Sequence, residues 1–198
     1  MSYYIVFRGI FRAIFSVFYR WQVKGAHNVP AEGPVILCAN HINNFDPPLL
    51  GSGIERQVHF MAKEELFKIP VVSFLITKFG AFPVKRGAGD RAAIRSTLKI
   101  LEEGKVLGIF PEGTRSKTGE VGQGLPGSAM FALKSDARVI PVAIVGPYRL
   151  FRPVTIIYGK PLDLSLYKEG KVTGETMKEV TDLIMQNIKD LISQHRSE

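Results

Sequence analysis

Six short apolar runs, separated by stretches with helical periodicity, are the feature that most constrains how this chain can fold. Several of the runs are apolar at every position, which is typical of strands whose two faces are both covered by helices. The runs occupy residues 35–39, 58–62, 81–84, 106–110, 139–145 and 154–158. Their order predicts an α/β fold, with a single domain in which a covered, largely apolar β-sheet is flanked by helices.

Three segments between or after these runs have the pattern of helices. Asp90 is a good N-cap for an amphipathic helix that ends before Gly104. Residues 128–135 also have a helical pattern. Residues 175–194 place apolar side chains at spacings of three and four, so this last helix is predicted to cover the sheet. With 198 residues, 45% of them hydrophobic, and no internal repeat or linker, the chain suits one domain with one sizeable core.

The N-terminal segment differs from the rest of the chain in its charge. Residues 1–24 contain four basic residues and no acidic one, since the first acidic residue is Glu32, and they therefore carry half of the net charge of +8. At 100° per residue, a polar stripe runs beside a wide apolar and aromatic face. The stripe consists of Arg8, Arg12, Ser16 and Arg20.

This pattern predicts an N-terminal amphipathic membrane-anchoring helix, with rings at the level of the headgroups and arginines that reach an anionic phospholipid membrane. The charge-free runs are too short for a helix that spans a bilayer, and the arginines interrupt what would be the apolar core of a secretory signal. On this interpretation residues 1–24 are a membrane-interface segment and residues 25–198 are the folded domain. The alternative is an ordinary amphipathic helix packed on the domain.

The basic composition indicates an anionic partner. Lys and Arg number 26 against 18 Asp and Glu, and the isoelectric point is near 9.6. No nucleic acid is expected, because much of the excess charge lies beside an apolar helix and no RNA- or DNA-binding motif is present. No metal is expected either, since His27, His59 and His195 lack partners at metal-ligand spacing. Cys38 lies in an apolar run and is predicted to pack in the core rather than to act as a nucleophile.

A histidine and a carboxylate follow directly after the first apolar run, in the sequence N-H-I-N-N-F-D at residues 40–46. His41 suits the removal of a proton near neutral pH. Asp46, five positions further on, can fix the tautomer of the imidazole and stabilise the imidazolium that forms. These two residues are the predicted catalytic pair.

Three further segments lie at strand ends, where the ligands of open α/β sheets usually bind. Residues 80–87 bring Lys85 and Arg86 next to glycines, which suits a phosphate. Residues 110–116, F-P-E-G-T-R-S, form a turn with a carboxylate, a guanidinium, a hydroxyl and open backbone amides. An arginine there can grip a phosphate with two bonds, while a carboxylate can bind a hydroxyl or orient that arginine. Residues 139–143 are nearly all apolar and line an acyl groove or belong to the core.

In this order and spacing, the four segments resemble the motifs of the glycerolphosphate acyltransferase superfamily. That family is marked by Asn-His-x-x-x-x-Asp, a Gly-x-Phe-x-x-Arg-type block, Phe-Pro-Glu-Gly-Thr-Arg-Ser and an apolar Ile-Pro-Val block. The resemblance covers roughly residues 34–146, and the short length and N-terminal helix look like the bacterial 1-acylglycerol-3-phosphate acyltransferases. The chain departs from many members after the third motif, where residues 122–127 contain no lysine.

The resemblance implies a function and a set of roles. The donor is an acyl thioester, either acyl-CoA or acyl carrier protein, the acceptor is lysophosphatidic acid, and no further cofactor is required. His41 is the base and Asp46 orients it. The substrate-binding residues are Lys85, Arg86, Glu112, Gly113, Thr114 and Arg115. Candidate donors to the carbonyl oxygen are the amide of Asn40 and backbone amides near Gly113.

Alternatives remain at the level of substrate and class. The same mechanism can acylate glycerol 3-phosphate or another lysophospholipid. A peripheral membrane protein that binds lipid phosphate without catalysis would share the basic turns, but it would not need the His41 and Asp46 pair. In the enzymatic interpretation, the protein is expected to lie on the cytoplasmic face of the cell membrane as a peripheral protein of phospholipid biosynthesis.

Overall fold

A seven-stranded sheet forms the centre of the computed structural model, which describes residues 3–85 and 90–196. Its strands follow the order β1-β7-β6-β2-β5-β3-β4. All neighbouring strands are parallel except β6 and β7, which are antiparallel. The strands are β1 (Gln22–Lys24), β2 (Val35–Ala39), β3 (Val58–Lys63), β4 (Ala81–Val84), β5 (Val106–Ile109), β6 (Arg138–Val145) and β7 (Thr155–Tyr158). The six strands predicted from the apolar runs are confirmed, and β1 is an addition.

Seven α-helices connect and cover the strands in the described part of the chain. They are α1 (Tyr3–Tyr19), α2 (Asp46–Ser52), α3 (Pro70–Lys78), α4 (Arg91–Glu102), α5 (Gly127–Leu133), α6 (Ser165–Lys168) and α7 (Gly174–Arg196). The predicted N-terminal helix corresponds to α1, and the other three predicted helices correspond to α4, α5 and α7. The predicted cap of α4 is confirmed, because an oxygen of Asp90 accepts hydrogen bonds from the backbone amides of Ala92 and Ala93.

The sheet separates two apolar cores, and the pleat of β2 shows how. Val35, Leu37 and Ala39 face the core that contains α1 and α2, whereas Ile36 and Cys38 face the core built with α5 and α7. Side chains of a strand alternate between the two faces, so a strand that is buried on both must be apolar throughout. The apolar runs are continuous because the sheet is covered on both sides, as predicted.

The burial of β6 decides whether residues 139–143 line an acyl groove or belong to the core. Every residue from 139 to 144 is buried, and these side chains divide between the two cores. The segment is therefore core. Cys38 is likewise fully buried, and burial raises the pKa of its thiol, so the thiol stays protonated and packs as predicted.

Helix α1 packs against the domain on one face. Tyr4 and Phe15 are buried in the same core as β2. Arg8 and Arg12 form ion pairs with Glu55, and Arg12 also donates to the carbonyl of Ser52. These two arginines are therefore bonded to the protein and do not reach lipid, contrary to the expectation from the sequence. The reason is that carbonyls at the end of α2 lack partners within their own helix: that of Ser52 accepts from Arg12, and that of Gly51 accepts from the hydroxyl of Tyr4.

The opposite face of α1 is apolar and exposed. The exposed side chains Tyr3, Val6, Ile10 and Val17 follow one another at spacings of three, four and seven, so they form one stripe along the helix. No helix in the described residues is both long enough and apolar enough to cross a bilayer. Residues 22–24, which were assigned to the N-terminal segment, pair with β7 and belong to the sheet.

The topology brings the segments of the predicted site to the same end of the sheet. Because β2, β5 and β4 are parallel, their carboxyl ends lie along one edge of the sheet, and the segments that follow them leave the sheet there. The segments after β2 and β5 are neighbours. The segment after β4 is three strand spacings from β2, or roughly 14 Å at about 4.8 Å per spacing.

Candidate active site

The carboxylate of Asp46 is the hub of the site. It is completely buried, and its oxygens accept four hydrogen bonds. Oδ2 accepts from His41 Nδ1 at 2.7 Å and from the backbone amides of Ile42 and Asn43 at 2.6 and 2.7 Å. Oδ1 accepts from the hydroxyl of Tyr148 at 2.6 Å. An ionised carboxylate is an acceptor only, so this arrangement places a proton on Nδ1 and leaves Nε2 with a lone pair.

Local sequence explains how the carboxylate reaches this position. Asp46 is the first residue of α2, where a negative charge is favoured by the free amides of the helix start. Pro47 and Pro48 follow, and proline suits the first turn because an amide there has no helical partner. The chain from residue 40 to residue 45 then wraps around the carboxylate, and its amides offset the cost of burying a charge.

The imidazole of His41 is held in place but remains accessible. Its ring stacks on Phe110 with a centroid distance of 4.1 Å and an interplanar angle of 21°. The side chain is 18% exposed. Within residues 3–85 and 90–196, Nε2 has no hydrogen-bond partner, so it is available to a substrate hydroxyl. Phe110 had received no role from the sequence, although it begins the third motif and follows the strand next to β2.

Tyr148 is a component that sequence reasoning missed. It lies 102 residues from Asp46 in the loop after β6, and no spacing rule links the two. Burial raises the pKa of the Tyr148 phenol, and the adjacent negative charge of Asp46 raises it further. The phenol therefore keeps its proton and donates to the carboxylate throughout the neutral range.

Glu112 fastens the third motif to the first. Its Oε1 accepts from the backbone amide of His41 and its Oε2 from that of Gly122, both at 2.9 Å. The amide of Ser116 also donates to the His41 carbonyl at 2.7 Å. Both oxygens are thus engaged by the protein. The geometry supports a bracing role, in which Glu112 sets the turn that follows beside His41. The contact with the acceptor that the family resemblance implied for Glu112 stays a prediction.

The turn of the third motif presents Thr114 and Arg115 to solvent. Both are exposed and line an open cavity of about 350 Å³ that also borders Glu112. The turn needs Gly113, which has a φ of 68° and whose missing Cβ would lie 2.6 Å from Leu125 Cδ1. The amide of Gly113 donates to the carbonyl of Phe110, so Gly113 itself is not a free donor for a substrate.

The second motif is placed only in part. Lys85 is exposed at the end of β4, and its backbone amide donates to Oδ2 of Asp90 at 2.7 Å. Asp90 therefore ties the start of this loop to the cap of α4. Arg86, the other predicted phosphate ligand, lies outside the described residues. The site as described thus contains His41 and Arg115 on neighbouring strand exits, with Lys85 further along the same edge.

Asn40 has a structural task. Its side-chain amide donates to the carbonyl of Ile144 at 2.9 Å and accepts from the Ile144 amide at 2.7 Å. These bonds extend the pairing of β2 and β6 by one more step, in a position that is 1% exposed. The side chain of Asn40 is therefore used by the fold and does not serve as the donor to a carbonyl oxygen that the sequence allowed.

Comparisons with known proteins identify the family of the chain. The model of the family described as Acyltransferase matches residues 20–145, a range that contains all four motifs. The chain is 32% identical over 179 residues to a 1-acyl-sn-glycerol-3-phosphate acyltransferase of Bacillus subtilis, covering 86% of this chain and 87% of that protein. It is 35% identical over 126 residues to a lyso-ornithine lipid O-acyltransferase of Pseudomonas aeruginosa, covering 63% and 47%.

A solved structure is similar over nearly the whole chain. The crystal structure of the 1-acyl-sn-glycerophosphate acyltransferase PlsC from Thermotoga maritima superposes with a TM-score of 0.73 at 28% sequence identity. The match covers 94% of this chain and 78% of that one.

We expect Tyr148→Phe to lower kcat about tenfold with little change in KM, because the variant removes one charge-assisted hydrogen bond from the carboxylate that positions His41. The matched control is Tyr158→Phe, which removes a buried phenol that bonds to the carbonyl of Leu50 instead. Steady-state kinetics and thermal melting of both variants check this. Equal kcat losses in the two variants would show that Tyr148 acts only through stability.

Proposed function

Since the chain belongs to the acyltransferase family, we propose that it transfers a fatty acyl group from an acyl thioester to the free hydroxyl of 1-acylglycerol 3-phosphate, giving phosphatidic acid. One observation carries the proposal: Nδ1 of His41 is bonded to a buried carboxylate, its Nε2 has no partner among the described residues, and its backbone carbonyl is bonded to the turn that holds Arg115. The alignment with the Bacillus subtilis relative, which is named for this activity, covers most of both chains.

The proposed chemistry follows from the state of His41. A hydroxyl is a weak nucleophile at neutral pH, so Nε2 accepts its proton while the oxygen attacks the thioester carbonyl. The new ester bond forms, the carbon–sulfur bond breaks, and the leaving thiolate takes the proton from the imidazolium. Asp46 stabilises the positive charge on His41 during this step. General base catalysis of this kind contributes about 10² to 10⁴ in rate.

Arg115 is the described group best suited to the acceptor phosphate. Its guanidinium makes no ion pair with any carboxylate in the described ranges, and it lies on the strand exit next to that of His41. A planar guanidinium can bind a phosphate with two parallel hydrogen bonds. Holding the phosphate fixes the distance between the hydroxyl and the base, which accelerates the reaction through proximity. Lys85 and Arg86 are proposed to add charge at the same edge.

A second acceptor class has support from one comparison. The Pseudomonas aeruginosa relative, named a lyso-ornithine lipid O-acyltransferase, is 35% identical over 126 residues, so another lysolipid is the second candidate. Glycerol 3-phosphate remains an alternative acceptor by the same mechanism. Both acyl-CoA and acyl carrier protein are acidic donors that suit a chain with a net charge of +8.

We further propose that the protein lies at the cytoplasmic face of the cell membrane through the exposed stripe of α1. The stripe continues onto α3, because the rings of Tyr3 and Phe74 meet edge to face at 6.1 Å. Four further side chains of the segment from residue 64 to residue 78 are exposed and apolar: Leu66, Ile69, Val71 and Leu75. A contiguous apolar surface of this kind is rare on a soluble monomer and is typical of an interaction site.

The proposed reaction predicts a defined acceptor preference. Purified protein with a labelled acyl thioester should acylate lysophosphatidate in preference to glycerol 3-phosphate and lysophosphatidylcholine, tested with acyl-CoA and acyl carrier protein in turn. His41→Ala should reduce the rate by at least about 10², because the base is removed, while circular dichroism stays unchanged. Transfer that survives in His41→Ala at the original rate would exclude the proposed base.

Arg115→Ala should raise KM for lysophosphatidate about tenfold or more, since a charge-assisted contact to phosphate is lost. Arg115→Lys should restore part of the affinity, because it keeps the charge without the two-pronged geometry. Monoacylglycerol, which lacks the phosphate, serves as the control acceptor and should not distinguish the variants. An unchanged KM for lysophosphatidate in Arg115→Ala would exclude this arginine as a phosphate ligand.

The double substitution Val6→Ser and Ile10→Ser should weaken binding to vesicles without lowering the melting temperature, because both side chains are exposed in the fold. Leu166→Ser is the matched control, since Leu166 is an exposed apolar residue on the distant helix α6. Sedimentation with anionic vesicles gives the measurement. Membrane binding equal to that of the unmodified protein would contradict attachment through α1.

A further inference from the structure

The loop between β6 and β7 exposes two adjacent apolar side chains. Leu150 is 61% exposed and Phe151 is 63% exposed. Arg149 precedes them and Arg152 follows them, and both arginines are exposed. Single exposed apolar residues are common on protein surfaces, but an adjacent pair between two cations has the composition of a segment that enters the boundary between headgroups and acyl chains.

The backbone holds this pair outward. Phe151 has a φ of 61°, a left-handed conformation that is an outlier for a bulky side chain. Two hydrogen bonds impose it: the amide of Phe151 donates to the carbonyl of Phe18 at 2.6 Å, and that of Arg152 donates to the carbonyl of Arg149 at 3.0 Å. Strained backbone persists only where the surrounding contacts determine it, and such places are often functional.

The same loop closes the C-terminal end of α1. The last carbonyls of a helix have no partner within the helix. Here the amides of Phe151 and Val154 donate to the carbonyls of Phe18 and Tyr19. Loop and helix end therefore form one surface. We call it the junction patch, and it consists of Val17, Phe18, Arg20 and residues 149–152, all of them exposed.

The charge of the junction patch has a single sign. Arg20, Arg149 and Arg152 belong to it, and the two stretches of sequence that meet here, residues 1–31 and 137–162, contain no acidic residue. An anionic bilayer is complementary to such a surface, since it offers negative headgroups to the arginines and an apolar phase to the rings. An acidic carrier protein would match the arginines, but it would leave Leu150 and Phe151 without an apolar environment.

The junction patch borders the active site. Tyr148, whose hydroxyl bonds to Asp46, lies two residues before Leu150 and three before Phe151. Three residues span at most about 11 Å even when fully extended. The ring of Tyr148 also contacts that of Tyr19, in the last turn of α1, at 5.9 Å. Leu150 and Phe151 therefore lie in the same short loop as Tyr148, which bonds to the carboxylate that positions His41.

We propose that the junction patch docks on an anionic bilayer, so that Leu150 and Phe151 enter the headgroup region and set His41 at the depth of a membrane-embedded lysolipid. The proposal rests on the proposed function, since it assumes an acceptor drawn from the bilayer. It adds the loop between β6 and β7 to the proposed attachment through the stripe of α1, and it concerns the orientation of the site toward the lipid as well as binding.

The test uses Phe151→Gly, which deletes the ring while glycine adopts the left-handed backbone without strain, so the fold should be retained. Leu150→Ser is the second variant, and Leu166→Ser is the control. Rates are measured with lysophosphatidate embedded in vesicles containing phosphatidylglycerol and with a short-chain lysophosphatidate that is monomeric in solution. Each junction variant should lose about tenfold on the embedded acceptor and little on the soluble one, and Leu166→Ser should lose neither.

Two results would overturn the proposal. Unchanged rates on the embedded acceptor would show that the loop does not contact lipid. Equal losses on both acceptors would show that the loop acts inside the site or on the donor. If the unmodified protein transferred no acyl group to any lysolipid, the proposed function would fail by itself. Partition of the Phe151→Gly variant into the same vesicles would then still decide whether the junction patch binds lipid.

Discussion

The buried carboxylate of Asp46 is the interaction on which the site depends. A charge at a completely buried position is tolerated only when hydrogen bonds replace its hydration. Four donors do so here, and they come from the loop after β2 and from the loop after β6. The carboxylate thereby joins segments that are about a hundred residues apart in sequence. The orientation of His41 is one consequence of satisfying that charge.

Two further side chains give the site its rigidity by bonding to backbone. Asn40 ties the exit of β2 to β6, and Glu112 ties it to the turn after β5. Both residues belong to motifs that suggest chemistry, yet their polar atoms are used to hold strand exits together. Among the described residues, the groups that remain available to a substrate include Nε2 of His41 and the exposed side chains of Lys85, Thr114 and Arg115. This division between bracing and reacting groups explains why motif residues with similar chemistry have different tasks.

The sequence predicted the features that depend on local composition. The strands were identifiable because both faces are buried, which forces continuous apolar runs, and α4 was identifiable because Asp90 caps it. The pair of His41 and Asp46 was also identifiable, since both lie in one short loop. Features that depend on distant contacts were missed. β1 has only three residues, α2 has seven, and neither is long enough to show a period.

Other misses have the same physical origin. Arg8 and Arg12 were assigned to lipid because a helical wheel shows only a polar stripe, whereas the carbonyls that they satisfy are 40 to 47 residues away in the sequence. Tyr148 and the bracing bonds of Glu112 involve partners separated by 102 and 71 residues. Spacing rules describe one element at a time, so a polar residue's partner on another element lies beyond them.

The most direct measurement of the central claim is the tautomer of His41. Nitrogen-15 NMR of protein with labelled histidines, recorded where the imidazole is neutral, shows which ring nitrogen carries the proton. The described geometry predicts the proton on Nδ1, bonded to Asp46, and an unprotonated Nε2. A neutral ring with its proton on Nε2 would contradict the account, because that nitrogen could not then accept the proton of the substrate hydroxyl.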